Sequence, residues 1–407
     1  MKMIPVAKPW MDEREAAAAS RPILAGWVTQ GPEVAAFEKE FAEAVGAKYA
    51  CAVSNCTTAL HLALRAVGVE PGDEVITVSH SFVATASSIR YCGATPVFID
   101  IDSETYNLDP ARIEWAVTPR TKAILCVHQM GMPCDMAKIL AVASRYSLPL
   151  IEDAACAAGS ELLWNGRFEK IGKPHGAVAC FSFHPRKVIT TGDGGMLTTA
   201  DPKLDAQFRL WRQHSMSVPD TVRHKSNQII FEEYPELGFN YRMTDIQAAV
   251  GREQLKRLPE MVERRRQLAE TYNELLSSVE GQRSPSEPHY ARSNWQSYCI
   301  RLDKGIDQRK VMQSMLEDGI ATRRGIMCAH REPAYSAPGS WLCGAAGCRT
   351  HANRCGHLGE SELAQDEAII LPLFHGMILD EQRAVVSALR SALAKSTVLT
   401  AAGESLA

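Results

Sequence analysis

No run of this chain approaches the roughly 18 consecutive apolar residues that a membrane-spanning helix requires, so it is not expected to cross a bilayer. Neither sign of charge dominates: 44 Lys and Arg stand against 47 Asp and Glu, a formal net charge of −3. That balance removes the electrostatic case for nucleic acid or an anionic membrane surface as partner. Internal repeats and low-complexity tracts are absent too. Residues 1–14 carry charges and a proline where a secretory signal would need an apolar stretch. The chain has 12 cysteines but no Cys-x-x-Cys pair. Cys51, Cys126, Cys180 and Cys299 sit in apolar, strand-like runs, where cysteine acts as a small buried hydrophobe. A reducing cytoplasm is therefore expected rather than a disulfide framework.

What remains is an ordinary globular composition, 46% hydrophobic and 22% charged over 407 residues, too long for one compact core. A helix is predicted from Pro32, because proline suits the first helical position and Val34, Phe37, Phe41 and Val45 share a face. Strand-like runs follow at 74–78, 96–99, 123–127, 148–151, 177–181 and 196–199. Helical stretches at 59–67, 111–116 and 136–146 separate several of them. This alternation predicts an α/β domain with a mostly parallel sheet, broken between the last two strands, which have no helix between them. After Thr244 come charged helices at 245–258 and 260–276, split at Pro259. A polar loop at 283–294, a strand at 296–302 and helices at 308–318 and 380–395 suggest a smaller C-terminal α+β domain. The division expected is 1–258 and 259–407. Residues 336–360 show no periodicity, and the tail beyond Thr397 is expected to fray.

Four segments are placed to carry chemistry, since ligands in such sheets bind beyond the carboxyl ends of strands. In Val53-Ser54-Asn55-Cys56-Thr57-Thr58-Ala59-Leu60 a strand enters an apolar helix through a hydroxyl-rich turn. Free amides there, with Thr57 and Thr58, would suit a phosphate, although a plain N-cap explains the same residues. In Leu150-Ile151-Glu152-Asp153 acids end a buried strand, facing either a cationic ligand or solvent. In Phe181-Ser182-Phe183-His184-Pro185-Arg186-Lys187 a lysine follows a buried strand and precedes Thr191-Gly192-Asp193-Gly194-Gly195. Burial and the adjacent Arg186 predict a lowered pKa for Lys187; as a residue type alone it reads as a surface lysine. In Gly238-Phe239-Asn240-Tyr241-Arg242-Met243-Thr244-Asp245, Asn240 and Arg242 are candidates for polar contacts ahead of a Thr244 cap.

Together these segments resemble the DegT/StrS-type sugar aminotransferases, a branch of the fold-type I pyridoxal-phosphate (PLP) enzymes. The resemblance also takes in Gly26-Trp27-Val28-Thr29-Gln30-Gly31-Pro32, Phe82-Val83-Ala84-Thr85-Ala86, Asp100-Ile101-Asp102, residues 323–335 and Ile370-Leu371-Pro372-Leu373-Phe374, and so covers nearly the whole chain. It implies a fold-type I large domain, Lys187 as the Schiff-base lysine and Asp153 as partner of the pyridinium nitrogen. It implies phosphate contacts from Thr57, Thr58 and Ser182, an aromatic stack from Phe82, and Asn240 donated to the neighbouring subunit's site in a homodimer. Three residues after the aspartate the family often carries Gln or His; here stands Cys156. Relatives that dehydrate sugars have histidine at the lysine position, so Lys187 points to transamination.

The reaction implied moves an amino group from glutamate or glutamine to a keto sugar, nucleotide-linked and of the 4-keto-6-deoxy kind. Thr29, Arg323, Arg324, His330 and Arg331 are the candidates to hold that substrate, the arginines facing its diphosphate. A keto-cyclitol acceptor, or a PLP-binding regulator without turnover, are the alternatives. Cys343, Cys348, Cys355 and His357, with Cys328 and His330 upstream, raise the question of zinc, but their irregular spacing favours a metal-free insertion.

Overall fold

The structure, a computed structural model, describes residues 3–218, 223, 226–345, 348 and 355–404. Fifteen strands follow in chain order. β1 (Tyr49–Val53), β2 (Glu74–Val78), β3 (Thr95–Ile99), β4 (Thr121–Val127) and β5 (Leu150–Asp153) come first. β6 (Glu161–Trp164), β7 (Arg167–Lys170), β8 (Val178–Ser182), β9 (Gly195–Thr199), β10 (Gln282–Arg283) and β11 (Ala291–Arg292) come next. β12 (Tyr298–Leu302), β13 (Arg323–Arg324), β14 (Leu342–Cys343) and β15 (Ala368–Leu371) complete them.

Eight strands form one sheet in the order β1-β9-β8-β5-β4-β2-β3-β14. Only β9 runs against its neighbours. The expected α/β class with a mostly parallel sheet is what the chain adopts, and the break in alternation falls between β8 and β9 as the missing helix requires. The strands are apolar along their length because helices cover both faces. Phe37 and Phe41 of the helix Pro32–Val45 pack edge-on against Phe181 and Phe183 of the β8 region. On the other face Ala59, Leu60 and Ala63 of the helix Cys56–Ala66 meet Cys180 and Leu197.

The C-terminal part builds a four-stranded sheet, β10-β12-β15-β13, covered by the helices Gln308–Glu317 and Leu379–Glu404. Three expectations need correction here. The helices predicted on either side of Pro259 are one helix of 32 residues, Asp245–Leu276. Proline costs that helix a donor, but both halves are anchored. Leu255, Leu258, Met261 and Val262 lie in the core of the large sheet, while Leu268, Ala269, Tyr272 and Leu276 lie in the C-terminal core. The expected 258/259 division thus falls inside a continuous element. The segment 336–360, read as featureless, contributes β14, which pairs in parallel with β3 at the edge of the large sheet. The last helix, expected at 380–395, spans Leu379–Glu404. Among the described residues no helix is long and apolar enough to cross a membrane.

Candidate active site

Beyond the carboxyl ends of β1, β4, β5 and β8 lies a cavity of about 680 Å³, within the size range of small-molecule sites. Thr57, Thr58, Phe82, Asp153, Ser182, Lys187, Arg323 and Arg324 all line it. The fold therefore gathers into one hollow residues that the sequence spreads over more than half its length.

One end is the first turn of the helix Cys56–Ala66. Asn55 caps it, its side chain accepting the Thr58 amide at 2.9 Å. The amides of Cys56 and Thr57 precede the intrahelical ladder and, with the Thr57 hydroxyl, form an anion-binding end. Gly195 makes this geometry possible: a Cβ there would stand 2.4 Å from the Asn55 carbonyl, so only glycine lets β9 run this close beneath the turn.

Asp153 ends β5. Its Oδ2 accepts the Thr85 hydroxyl at 2.7 Å and its Oδ1 the Ala155 amide at 3.2 Å. Burial pushes this carboxyl above the usual range, and the two donors pull it back towards the ionised form. Glu152, on the opposite face, is buried rather than solvent-facing. It takes the Gly176 amide at 2.8 Å and pairs with His128 Nε2 at 3.0 Å. Since the Cys134 amide donates to His128 Nδ1, the ring carries its proton on Nε2 and points it at Glu152. The His128 amide also donates to the Asp153 carbonyl at 3.0 Å. This polar network holds the end of β5 in place.

Lys187 Nζ lies 3.0 Å from Cys156 Sγ. The lowered pKa expected for this lysine is not found. Burial is the largest single influence and works in that direction, but the Cys156 sulfur, Cys56 and the Asp153 carboxyl together outweigh it, and the amine is held above its ordinary value. Arg186 is exposed and its charge is spent in solvent. Phe82 is 61% exposed, unusual for an aromatic side chain bordering a cavity, and offers its ring to a flat partner.

These groups fit a PLP molecule at three separate points: an anion site for its phosphate, a carboxylate for its ring nitrogen and an amine for its aldehyde. The sequence did not reveal Thr85, because its contact with Asp153 spans 68 residues. Nor did it give Cys156 a partner.

Other candidates lie elsewhere. His330 is fully buried between Ser79 (2.6 Å) and Glu362 (3.1 Å), a structural position. Arg331 Nη1 donates to both carboxylate oxygens of Asp366, at 2.8 and 2.9 Å, and Arg331 does not line the cavity. Thr29 is exposed, and its carbonyl accepts the Asp245 amide. Asn240 is exposed and pairs with Gln213 in an isolated bridge, and it does not line the cavity. Ser182 and the two arginines of β13 line the cavity; Arg324 also pairs with Glu332 at 3.2 Å.

The family model of the DegT/DnrJ/EryC1/StrS aminotransferases matches residues 9–390. The chain belongs to that family. It is accordingly a PLP-dependent aminotransferase of the fold-type I class. Among its relatives is a GDP-perosamine synthase of Caulobacter vibrioides, 42% identical over 82% of this aminotransferase and 87% of the relative. A spore coat polysaccharide biosynthesis protein, SpsC, of Bacillus subtilis is 40% identical over 82% and 85% of the two chains. The aminotransferase TlmJ of Streptoalloteichus hindustanus superposes with a TM-score of 0.85 at 33% identity, covering 97% of this chain and all of that one.

Proposed function

We propose that this aminotransferase moves an amino group from glutamate or glutamine to the ketone of a nucleotide-linked 4-keto-6-deoxy sugar, as a cytoplasmic homodimer. The observation that carries the substrate reading is the pair Arg323 and Arg324. They line the cavity with Asp153 and Lys187 and offer two cations to a diphosphate. A relative named for GDP-perosamine supports the same class. The homodimer reading rests on Asn240, exposed and not lining its own cavity, in a segment where Ile229 and Phe231 are 87% and 89% exposed. Apolar side chains that open to water in one segment suit a subunit contact.

Bound PLP supplies an electron sink for the carbanion left when a Cα proton is removed. The residues do the rest. Asp153, held by the Thr85 hydroxyl and the Ala155 amide, would hold the cationic ring nitrogen. Thr57, Thr58 and Ser182 would hold the phosphate, and Phe82 would cover one ring face. Lys187 Nζ would take the proton from the donor carbon and return it on the other side of the exchange. The Cys156 sulfur, in contact with that amine, keeps it at the cavity floor.

The deciding experiment loads the enzyme with amino groups from glutamate and screens keto sugars for return of the aldehyde form of the cofactor. Nucleotide-linked 4-keto-6-deoxy sugars should restore it, and Arg323→Ala should raise KM for them more than it lowers kcat. Restoration only by keto-cyclitols would refute the substrate reading.

A further inference from the structure

Three thiols meet outside the catalytic cavity. Cys343 ends β14 at the sheet edge, where its strand runs beside Phe98. Cys348 and Cys355 return to it from the segment that follows, so that the three sulfurs lie within 4.8 Å of one another. Cys355 Sγ is 3.2 Å from Cys348 Sγ and 3.3 Å from Cys343 Sγ. Apolar packing of small side chains does not by itself bring three sulfurs together at hydrogen-bond distance. A disulfide would join one pair and leave the third aside, whereas Cys355 stands equally close to both.

Two further features separate this cluster from a chance contact. A backbone amide points at one of its sulfurs: the Ala345 amide at Cys343 Sγ, 3.4 Å away. That donor lies two residues beyond its cysteine, and an N–H group directed at sulfur favours the thiolate, the form that binds metal. The cluster is also held firmly. The Gly344 amide donates to the Phe98 carbonyl at 2.8 Å. The Cys355 amide donates to Glu362 Oε1 at 3.1 Å, the same oxygen that His330 Nε2 meets. Trp341, Tyr335 and Leu358 pack around Cys355.

We propose that Cys343, Cys348 and Cys355 form a three-thiolate site for zinc. Among the described residues no fourth histidine, cysteine or carboxylate joins them. Binding releases the three Sγ protons to solvent as the sulfurs become ligands. The irregular spacing argued against metal because it tested for a local chelate. Here the ligands converge only because β14 docks on β3. Val83, next to Phe82, packs on the same apolar cluster, so the metal would brace one wall of the active site.

The test is elemental analysis of the PLP-loaded enzyme purified without chelators or metal-affinity resin, with thiols counted in parallel. About one zinc per chain is expected for the wild type, as for structural thiolate sites. Cys348→Ser and Cys355→Ser should fall below about a tenth of that while still binding cofactor. If Cys355→Ser does not fold, the half-buried Cys348→Ser and the wild-type content decide. Wild-type protein that retains no zinc after reconstitution with zinc sulfate and desalting overturns the proposal, whether its thiols are free or two are disulfide-linked. Zinc kept by a folded variant overturns it equally. The readout is metal, so it stands apart from the identity of the sugar.

Discussion

Replacing Thr85 with valine removes one hydroxyl from a fully enclosed place and keeps the shape of the side chain. Thr85 Oγ1 donates to Asp153 Oδ2 at 2.7 Å, and both residues are buried. A hydrogen bond to a buried charge is worth about 1.5–3 kcal/mol. Its loss leaves Asp153 with the Ala155 amide alone and moves its pKa further up. A carboxylate that ionises less readily holds a ring cation less well. The proton-transfer half-reaction should therefore slow about tenfold to a hundredfold, following about 1.4 kcal/mol per decade. Rapid mixing of the PLP form with saturating glutamate reads this rate directly. Thr85→Ser keeps the hydroxyl and should restore most of it. Ser81→Ala, which removes only the partner of Thr85 at 2.7 Å, should cost less. A Thr85→Val enzyme with wild-type single-turnover rate would show that Asp153 does not depend on this donor.

Borohydride reduction of the holoenzyme should fix the cofactor on the peptide containing Lys187, and Lys187→Ala should retain little activity; label on another lysine would refute the assignment. Mixed dimers of Lys187→Ala with Asn240→Ala should recover up to about half the wild-type activity, because one complete site is rebuilt. Purified mixed dimers as inactive as an impaired Asn240→Ala parent would place Asn240 outside its neighbour's site. His80 is fully buried with neither ring nitrogen paired among the described residues, and burial lowers its pKa to about 3 from 6.5. The fold thus prefers the neutral ring. Its contribution is complete above pH 6.5 and is lost as pH falls towards 3, at about 1.4 kcal/mol per unit. Between pH 7 and pH 5 the wild type should lose about 2 kcal/mol in urea melts through this residue. His80→Phe should not; equal losses in both would refute the reading.

The sheet was legible where a strand is buried on both faces and bounded by turn residues, as with β2, whose limits 74–78 the pattern predicts unchanged. β5 lies two residues further on than its predicted range because pairing with β4 carries it through Asp153. The β6–β7 hairpin had a signal that went unused: Asn165-Gly166, both at positive φ, the two-residue turn that joins antiparallel strands. At the site, Lys187, Asp153, Thr57, Thr58, Ser182 and Phe82 line one cavity, and each belongs to a short contiguous motif. His330 and Arg331 do not line it, because their partners, Ser79, Glu362 and Asp366, come from other elements. No local pattern announces such a contact.

The helix Asp245–Leu276 has a consequence for how the molecule comes apart. Its first half is fastened into one core and its second half into the other, with no loop between them. Neither core can melt without unwinding half of an element on which the other depends. Two cores joined by a flexible tether would unfold in separate steps. Here calorimetry should record one endotherm, and a cut at the helix midpoint should release neither half as a folded fragment.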